Sequence, residues 1–273
     1  MHALRLVDDW PVATVAAAFV APDGSVSTTG PTDHRFRLAS IAKMLVGWSV
    51  LIGRDEGIVS LDDAAGPAGC TLRHLLAHAS GLPFEGDVPV APPGSRRVYS
   101  NTGIELAAQH LADAAGMQFD DYLRDGILEP LGMTATTLDG SPAHAVHSTL
   151  DDVLRFVREL RSPRLVDPAT AAEFSTVQFA SLGGIVPGVG RFDDCPWGLG
   201  TEIRGTKQPH WTGTRNSPAT FGHFGGAGTL LWVDPVIDVA CVALTDRPFD
   251  EWSSDALRLW PALADAVIAE CGA

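Results

Sequence analysis

Lysine is nearly missing from this 273-residue sequence: two of its 19 basic residues are Lys and the other 17 are Arg. Positive charge as a whole is scarce, with 33 acidic residues and a formal net charge of -14. That balance argues against nucleic acid or an anionic membrane surface as partner, since both demand a basic patch. It fits a solvated acidic surface instead. Cysteine is sparse too. Cys70, Cys195, Cys241 and Cys271 show no CxxC and no paired spacing, so neither a zinc site nor a disulfide scaffold is expected, only reduced and mostly buried thiols. No stretch approaches the ~20 apolar residues of a membrane helix. The apolar run over 12–21 follows Asp8-Asp9-Trp10-Pro11, whereas a secretory signal places positive charge before its run. The cytoplasm is therefore the expected location. With 45% hydrophobic residues, the chain can bury a full core as one large domain or two closely packed lobes.

Against that scarcity, the position of one lysine stands out. Lys43 lies three residues after Ser40 at the start of an apolar stretch, Phe36-Arg37-Leu38-Ala39-Ser40-Ile41-Ala42-Lys43-Met44-Leu45. Positions i and i+3 share a helix face, which brings the amine within reach of the hydroxyl. Serine is a weak nucleophile until a base takes its proton, and an amine in an apolar setting has a lowered pKa and can act as that base. Tyrosine is as scarce as lysine, with two in the chain, and one opens the triplet Tyr99-Ser100-Asn101. Because Pro92-Pro93-Gly94 precedes it, Tyr99 is expected to project from a loop. A third element, Gly222-His223-Phe224-Gly225-Gly226-Ala227-Gly228-Thr229, is a glycine-rich strand entrance where a substrate backbone can approach closely.

The coarse pattern places these elements. A strand over 12–20, a turn at Pro22-Asp23-Gly24 and a return over 25–29 form a first hairpin. The helix starting near Ser40 runs to a stop at Gly57 and is apolar nearly all round, which predicts burial. Helical signals dominate from about 60 to 190, at 72–79, 103–115, 119–128 and 149–160. A second hairpin follows over 229–245, and a helix over 252–269 closes the chain. Strands at both ends imply one antiparallel sheet assembled from the two termini and flanked by helices. The expected fold is thus α/β of the α+β type, a single domain over 1–273. Its α/β lobe spans about 1–60 and 190–273, with an inserted helical lobe over about 61–189. A cleft between such lobes is a preferred ligand site.

Taken together, the three elements resemble the serine beta-lactamase and penicillin-binding-protein superfamily, with its S-x-x-K motif and later SDN and KTG elements. The likeness is greater to the branch holding class C beta-lactamases, D-alanyl-D-alanine carboxypeptidases, D-aminopeptidases and esterases, where Tyr-x-Asn and His-x-Gly take the later places. Leu75-Leu76-Ala77-His78-Ala79-Ser80-Gly81, Pro130-Leu131-Gly132-Met133 and Trp197-Gly198-Leu199-Gly200 are similar to the same branch. The resemblance implies an acyl-enzyme at Ser40, with Lys43 in the base position and Tyr99 in the proton relay; which of the two is the formal base stays open. It implies that Asn101 binds Lys43 and the substrate, and that the backbone N–H groups of Ser40 and Gly226 form the oxyanion hole. It implies no metal and no cofactor, a small ester or amide as substrate, and carboxylesterase-like or beta-lactamase-like activity. D-aminopeptidase or DD-carboxypeptidase activity and a non-turnover acylated sensor are the alternatives.

One departure redirects specificity. Beta-lactam-processing members carry Lys-Thr-Gly where this chain has His223-Phe224-Gly225, so the clamp for a substrate carboxylate is weakened and an ester or uncharged amide is favoured. The chain is also shorter than most members. His74 and His78 have zinc-ligand spacing but lack the Glu of a HExxH site, and His78 is expected to pack a helix end. Asn101 can also cap the helix that follows it. Trp197 and Trp211 are candidates to line the cleft, and Gly205-Thr206-Lys207, the reversed triplet, carries no weight.

Overall fold

The structure, a computed structural model, describes residues 3–272. A 3-10 helix (Ala3–Asp9) leads into β1 (Val15–Val20), which turns back as β2 (Val26–Thr29). The short β3 (Phe36–Arg37) and one 3-10 turn (Ala39–Ile41) precede α1 (Ala42–Asp55). The middle of the chain holds α2 (Leu72–Leu76), α3 (Asn101–Ala115), α4 (Phe119–Leu123), a π-helical turn (Arg124–Leu128) and α5 (Glu129–Leu131). Next come β4 (Thr137–Leu138), β5 (Val146–Ser148), α6 (Leu150–Arg161), α7 (Pro168–Phe174) and the hairpin β6 (Gly184–Val186) with β7 (Gly190–Phe192). The last stretch supplies β8 (Glu202–Ile203), β9 (Phe221–Gly225), β10 (Thr229–Asp234), β11 (Val239–Thr245) and α8 (Ser253–Glu270).

The two ends of the chain build one six-stranded sheet in the order β2-β1-β11-β10-β9-β8. Every pairing in it is antiparallel, with β1 and β11 in register from Val15↔Thr245 to Val20↔Ala240. Successive side chains of a strand point to opposite faces, and here both faces are covered. Ala16, Ala18 and Val20 pack in one cluster with Met44, Trp48 and Phe156, while Ala17 and Phe19 pack in another with Trp252 and Trp260. This two-sided burial explains the alanine-rich β1: small side chains let helices lie close on each face. The layers are thus helix, sheet, helix, with α1 and α6 on one side and α8 on the other.

Three differences from the sequence pattern bear on the site. The helix expected from Ser40 onward begins as a 3-10 turn and becomes α-helical at Ala42. A small sheet, β3-β5-β4, ties the segment before Ser40 to the middle of the chain, and β6–β7 forms a separate hairpin. Strands of two or three residues carry no readable periodicity, which is why neither was expected. Among the described residues no helix is long and apolar enough to cross a membrane. Cys70, Cys195 and Cys241 are buried free thiols and Cys271 is half-buried.

Candidate active site

Ser40 stands at a sharp strand-to-helix turn. The Leu38 amide donates to Val146 O at 2.8 Å, fixing the end of β3, and Ala39 then takes a left-handed φ of +48°. A non-glycine residue pays strain for that conformation, a feature common at functional sites. Lys43 follows one turn later and is fully buried. Its Nζ lies 3.1 Å from Ser40 Oγ, 2.7 Å from Asn101 Oδ1 and 3.0 Å from Ala143 O. Burial pushes the Lys43 pKa down from 10.5 to about 7, with Glu105 opposing weakly. Two of these three neighbours can only accept. A neutral amine therefore gives its two hydrogens to Asn101 and Ala143 and turns its lone pair toward the Ser40 hydroxyl.

Tyr99 reaches the same point from an extended loop. Its neighbour Ser100 caps α3 by accepting from the Gly103 amide at 2.9 Å, so the cap is Ser100 and Asn101 is free to serve Lys43. The Lys43 amine sits 4.9 Å from the Tyr99 ring centroid. The Tyr99 hydroxyl lies 3.3 Å from His223 Nε2, and His223 Nδ1 lies 2.6 Å from Phe224 O. A carbonyl only accepts, so Nδ1 carries the hydrogen, Nε2 carries the lone pair, and Tyr99 donates to it. Burial, then the nearby Lys43, pushes His223 down to about 3, so the ring is neutral. Burial raises the Tyr99 pKa, with the Ser40 side chain opposing.

The glycines of β9 set the spacing between the two halves of the site. A Cβ on Gly225 would stand 2.4 Å from Leu38 O and 2.4 Å from Thr229 Oγ1, so only glycine lets β9 approach the Ser40 turn. Thr229 Oγ1 donates to Leu38 O at 2.9 Å, fastening that turn to the β9–β10 hairpin. A Cβ on Gly226 would meet nothing within 4 Å. The space beyond is a cavity of about 210 Å³ whose lining includes Ser40, Tyr99, Trp197, His223, Phe224 and Gly226. The Phe224 ring is anchored in an aromatic cluster, 5.2 Å from Phe249 and 5.7 Å from Trp260 between centroids.

Beneath this cavity lies a charge cluster that the sequence reading passed over. Glu202, also on the cavity wall, pairs with Lys207 at 3.2 Å and His210 at 3.1 Å, and accepts from Trp211 Nε1 at 2.7 Å. Burial alone would raise the carboxyl pKa, but Lys207 and His210 overcome it and hold Glu202 at about 2. Trp211 is consequently turned under the site, in contrast to its expected place on the cleft wall, where Trp197 does stand. The signal for this cluster was Lys207 itself, the second of two lysines. His74 and His78 point to separate tasks: His74 Nδ1 engages Thr71 at the start of α2, and His78 Nδ1 accepts from the Ser100 amide at 3.2 Å.

Thus Ser40, Lys43, Tyr99, Asn101, His223, Phe224, Gly225 and Gly226 all converge on one place. The Beta-lactamase family model matches residues 11–266. A beta-lactamase of known structure from Mycobacterium bovis is 46% identical, with a TM-score of 0.95 over 98% of this chain and 99% of that one. EstCE1, a hydrolase with promiscuous acyltransferase activity, superposes with a TM-score of 0.78 over 97% of this chain and 96% of that one at 19% identity. The D-alanyl-D-alanine-carboxypeptidase/endopeptidase AmpH of Escherichia coli is 30% identical over 147 residues, 40% of this chain and 38% of that protein. The chain matches less than half the length of such curated relatives. It belongs to the Beta-lactamase family, a family of serine hydrolases.

Proposed function

We propose that this protein hydrolyses a small ester or uncharged amide through an acyl-enzyme on Ser40. The observation that carries the reading is the buried Lys43 amine, 3.1 Å from Ser40 Oγ with its pKa pushed down to about 7. Near neutral pH such an amine is partly deprotonated and takes the Ser40 proton as the hydroxyl attacks the acyl carbon. Negative charge then develops on the carbonyl oxygen, facing the backbone N–H groups of Ser40 and Gly226. Such paired donors are worth about 10²–10³ in rate apiece. Tyr99, which donates to His223 in the resting site, protonates the leaving group and is resupplied by Lys43. Water repeats the sequence to release the acid. Asn101 holds Lys43 in place.

His223 and Phe224 favour esters and uncharged amides over beta-lactams, because the ammonium and hydroxyl that clamp a substrate carboxylate are both replaced. The likeness to AmpH supports peptides ending in D-amino acids as the second reading. Steady-state hydrolysis of p-nitrophenyl butyrate by wild type and Ser40→Ala, with intact mass on the same mixtures, tests the proposal. Many turnovers that vanish in the variant are expected. A single stable acylation would make the protein a sensor, and equal rates would remove Ser40 from the chemistry.

A further inference from the structure

We infer that the substrate is asymmetric, with a small acyl group beside Ser40 and a bulky apolar leaving group in a second groove behind Tyr99. This inference rests on the acyl-enzyme reading and adds the class of substrate to it. The groove, about 790 Å³, adjoins the 210 Å³ cavity. Phe84, Tyr99 and Pro187 are walls of both.

The open part of the groove is mostly apolar, with the exposed Ser95, Arg96, Arg191 and Asp193 also on its walls. Phe84, Val90 and Ile185 on its walls are 51%, 54% and 49% exposed. They are three of six large hydrophobic side chains exposed among the described residues. Grouped apolar exposure of this kind marks a binding surface. The walls are held firmly. Phe84 stacks on Tyr99 with centroids 6.0 Å apart and planes 20° apart. The β6–β7 hairpin, which carries Ile185 and turns at Pro187, is seated on the buried Arg97: a Cβ on Gly184 would stand 2.4 Å from Arg97 Cβ. The Arg97 guanidinium in turn donates to Ala77 O at 2.8 Å, Phe179 O at 2.8 Å and Cys195 O at 3.0 Å. A groove with fixed apolar walls binds without paying to order them.

Which half of the substrate lies there follows from which residues line each space. Ser40 and Gly226 line the small cavity and are absent from the groove wall, whereas Tyr99 lines both. The acyl carbon bonds to Ser40 Oγ and its oxygen faces Gly226, so the acyl group stays in the small cavity. The bond to the leaving oxygen or nitrogen breaks with its electron pair going to that atom, which takes a proton from Tyr99. Whatever is attached to it therefore continues along the Tyr99 ring into the groove. Water then cleaves the acyl-enzyme, and the sum is RCO–OR′ plus water giving RCOOH and R′OH.

The isomers hexyl acetate and methyl heptanoate separate the two orientations, since they share one formula and differ only in which side carries the chain. The expected result is a kcat/KM at least tenfold higher for hexyl acetate, rising up to about fourfold per methylene from ethyl to hexyl acetate. Ile185→Asp and Val90→Asp, both at exposed positions, should each reduce the hexyl-to-ethyl ratio about tenfold. Equal rates for the isomers, preference for methyl heptanoate, or an unchanged ratio in both variants would overturn this inference while Ser40-dependent hydrolysis stood. Hydrolysis of all these esters at wild-type rates by Ser40→Ala would overturn the acyl-enzyme reading and this inference with it.

Discussion

Tyr99 gives its hydroxyl hydrogen to His223 Nε2 across 3.3 Å, because the other ring nitrogen is committed to Phe224 O. The donor direction is thus set by a backbone carbonyl one residue along β9. It leaves the tyrosine oxygen lone pairs free to accept, with the Ser40 side chain within hydrogen-bond reach and the Lys43 amine over the ring, 4.9 Å from its centroid. Under the proposed mechanism Lys43 is accordingly the base toward Ser40, and Tyr99 is the carrier to the leaving group.

Replacing His223 by Phe keeps a ring in the site and removes the acceptor. Misdirecting one acid–base group typically costs about 10²-fold or more, and that loss should fall on kcat more than on KM. His223→Gln, whose amide oxygen can accept from Tyr99, should recover part of it. A Phe variant with kcat within twofold of wild type would show that the contact does not orient Tyr99.

The pH profile follows from the direction of the two shifts. Lys43 must be neutral to accept a proton, and burial brings it down to about 7. Log kcat/KM should therefore climb with unit slope below that pH and level off above it. Tyr99 is shifted upward by burial, so it keeps its proton and no falling limb is expected before about pH 10. Stability moves the same way: between 10.5 and about 7 the unfolded chain binds the Lys43 proton and the folded one does not, so stability rises with pH across that window. Lys43→Arg, whose guanidinium stays charged, should lower kcat by about 10³-fold or more. A flat profile from pH 5 to 9 would argue against Lys43 as base.

Adjacent glycines should respond in opposite ways. Gly225→Ala drives a methyl group into Leu38 O, the carbonyl beside the nucleophile turn. Overpacking of this kind costs about 1–3 kcal/mol, and it displaces Ser40, so both Tm and kcat/KM should drop. Gly226→Ala meets open space, and its Tm should match wild type. Equal thermal shifts in the two variants would contradict the close approach of β9 to Ser40.

How much of this was legible in the sequence depended on the range of each interaction. Ser40 and Lys43 are one turn apart, and the long elements α1, α3, α6 and α8 show as extended apolar or amphipathic stretches, so pattern alone located them. The β10–β11 hairpin was equally readable from its apolar runs and the turn between them. The Tyr99–His223 contact joins residues 124 apart, and only the family resemblance brought the two together. Of the two roles open to Asn101, the cap goes to Ser100 and the contact with Lys43 is the one present. The groove behind Tyr99 depends on a three-residue strand pair and on Arg97 bonding to loop carbonyls, and neither leaves a periodic trace.

The Glu202–Lys207 pair is local in sequence yet left no periodic trace, because Glu202 sits in a two-residue strand and Lys207 in a loop; its energetics can be tested. Both side chains are essentially inaccessible and lie 3.2 Å apart, so neither charge has water to fall back on. Glu202→Gln would leave the Lys207 amine buried without its counter-charge, at a cost of about 3–5 kcal/mol of unfolding free energy, read as a lowered denaturant midpoint. Glu202→Gln with Lys207→Met removes both charges and should recover most of that loss. The pH dependence has a definite sign. Glu202 is held at about 2 in the folded protein against an ordinary value of 4.5, so its contribution is complete above pH 4.5. It fades as pH falls from 4.5 through 2, because protonation there favours the unfolded chain. The double variant should lack this acid sensitivity. If it unfolds with the same acid profile as wild type, other carboxylates govern acid stability and the pair beneath the cavity does not.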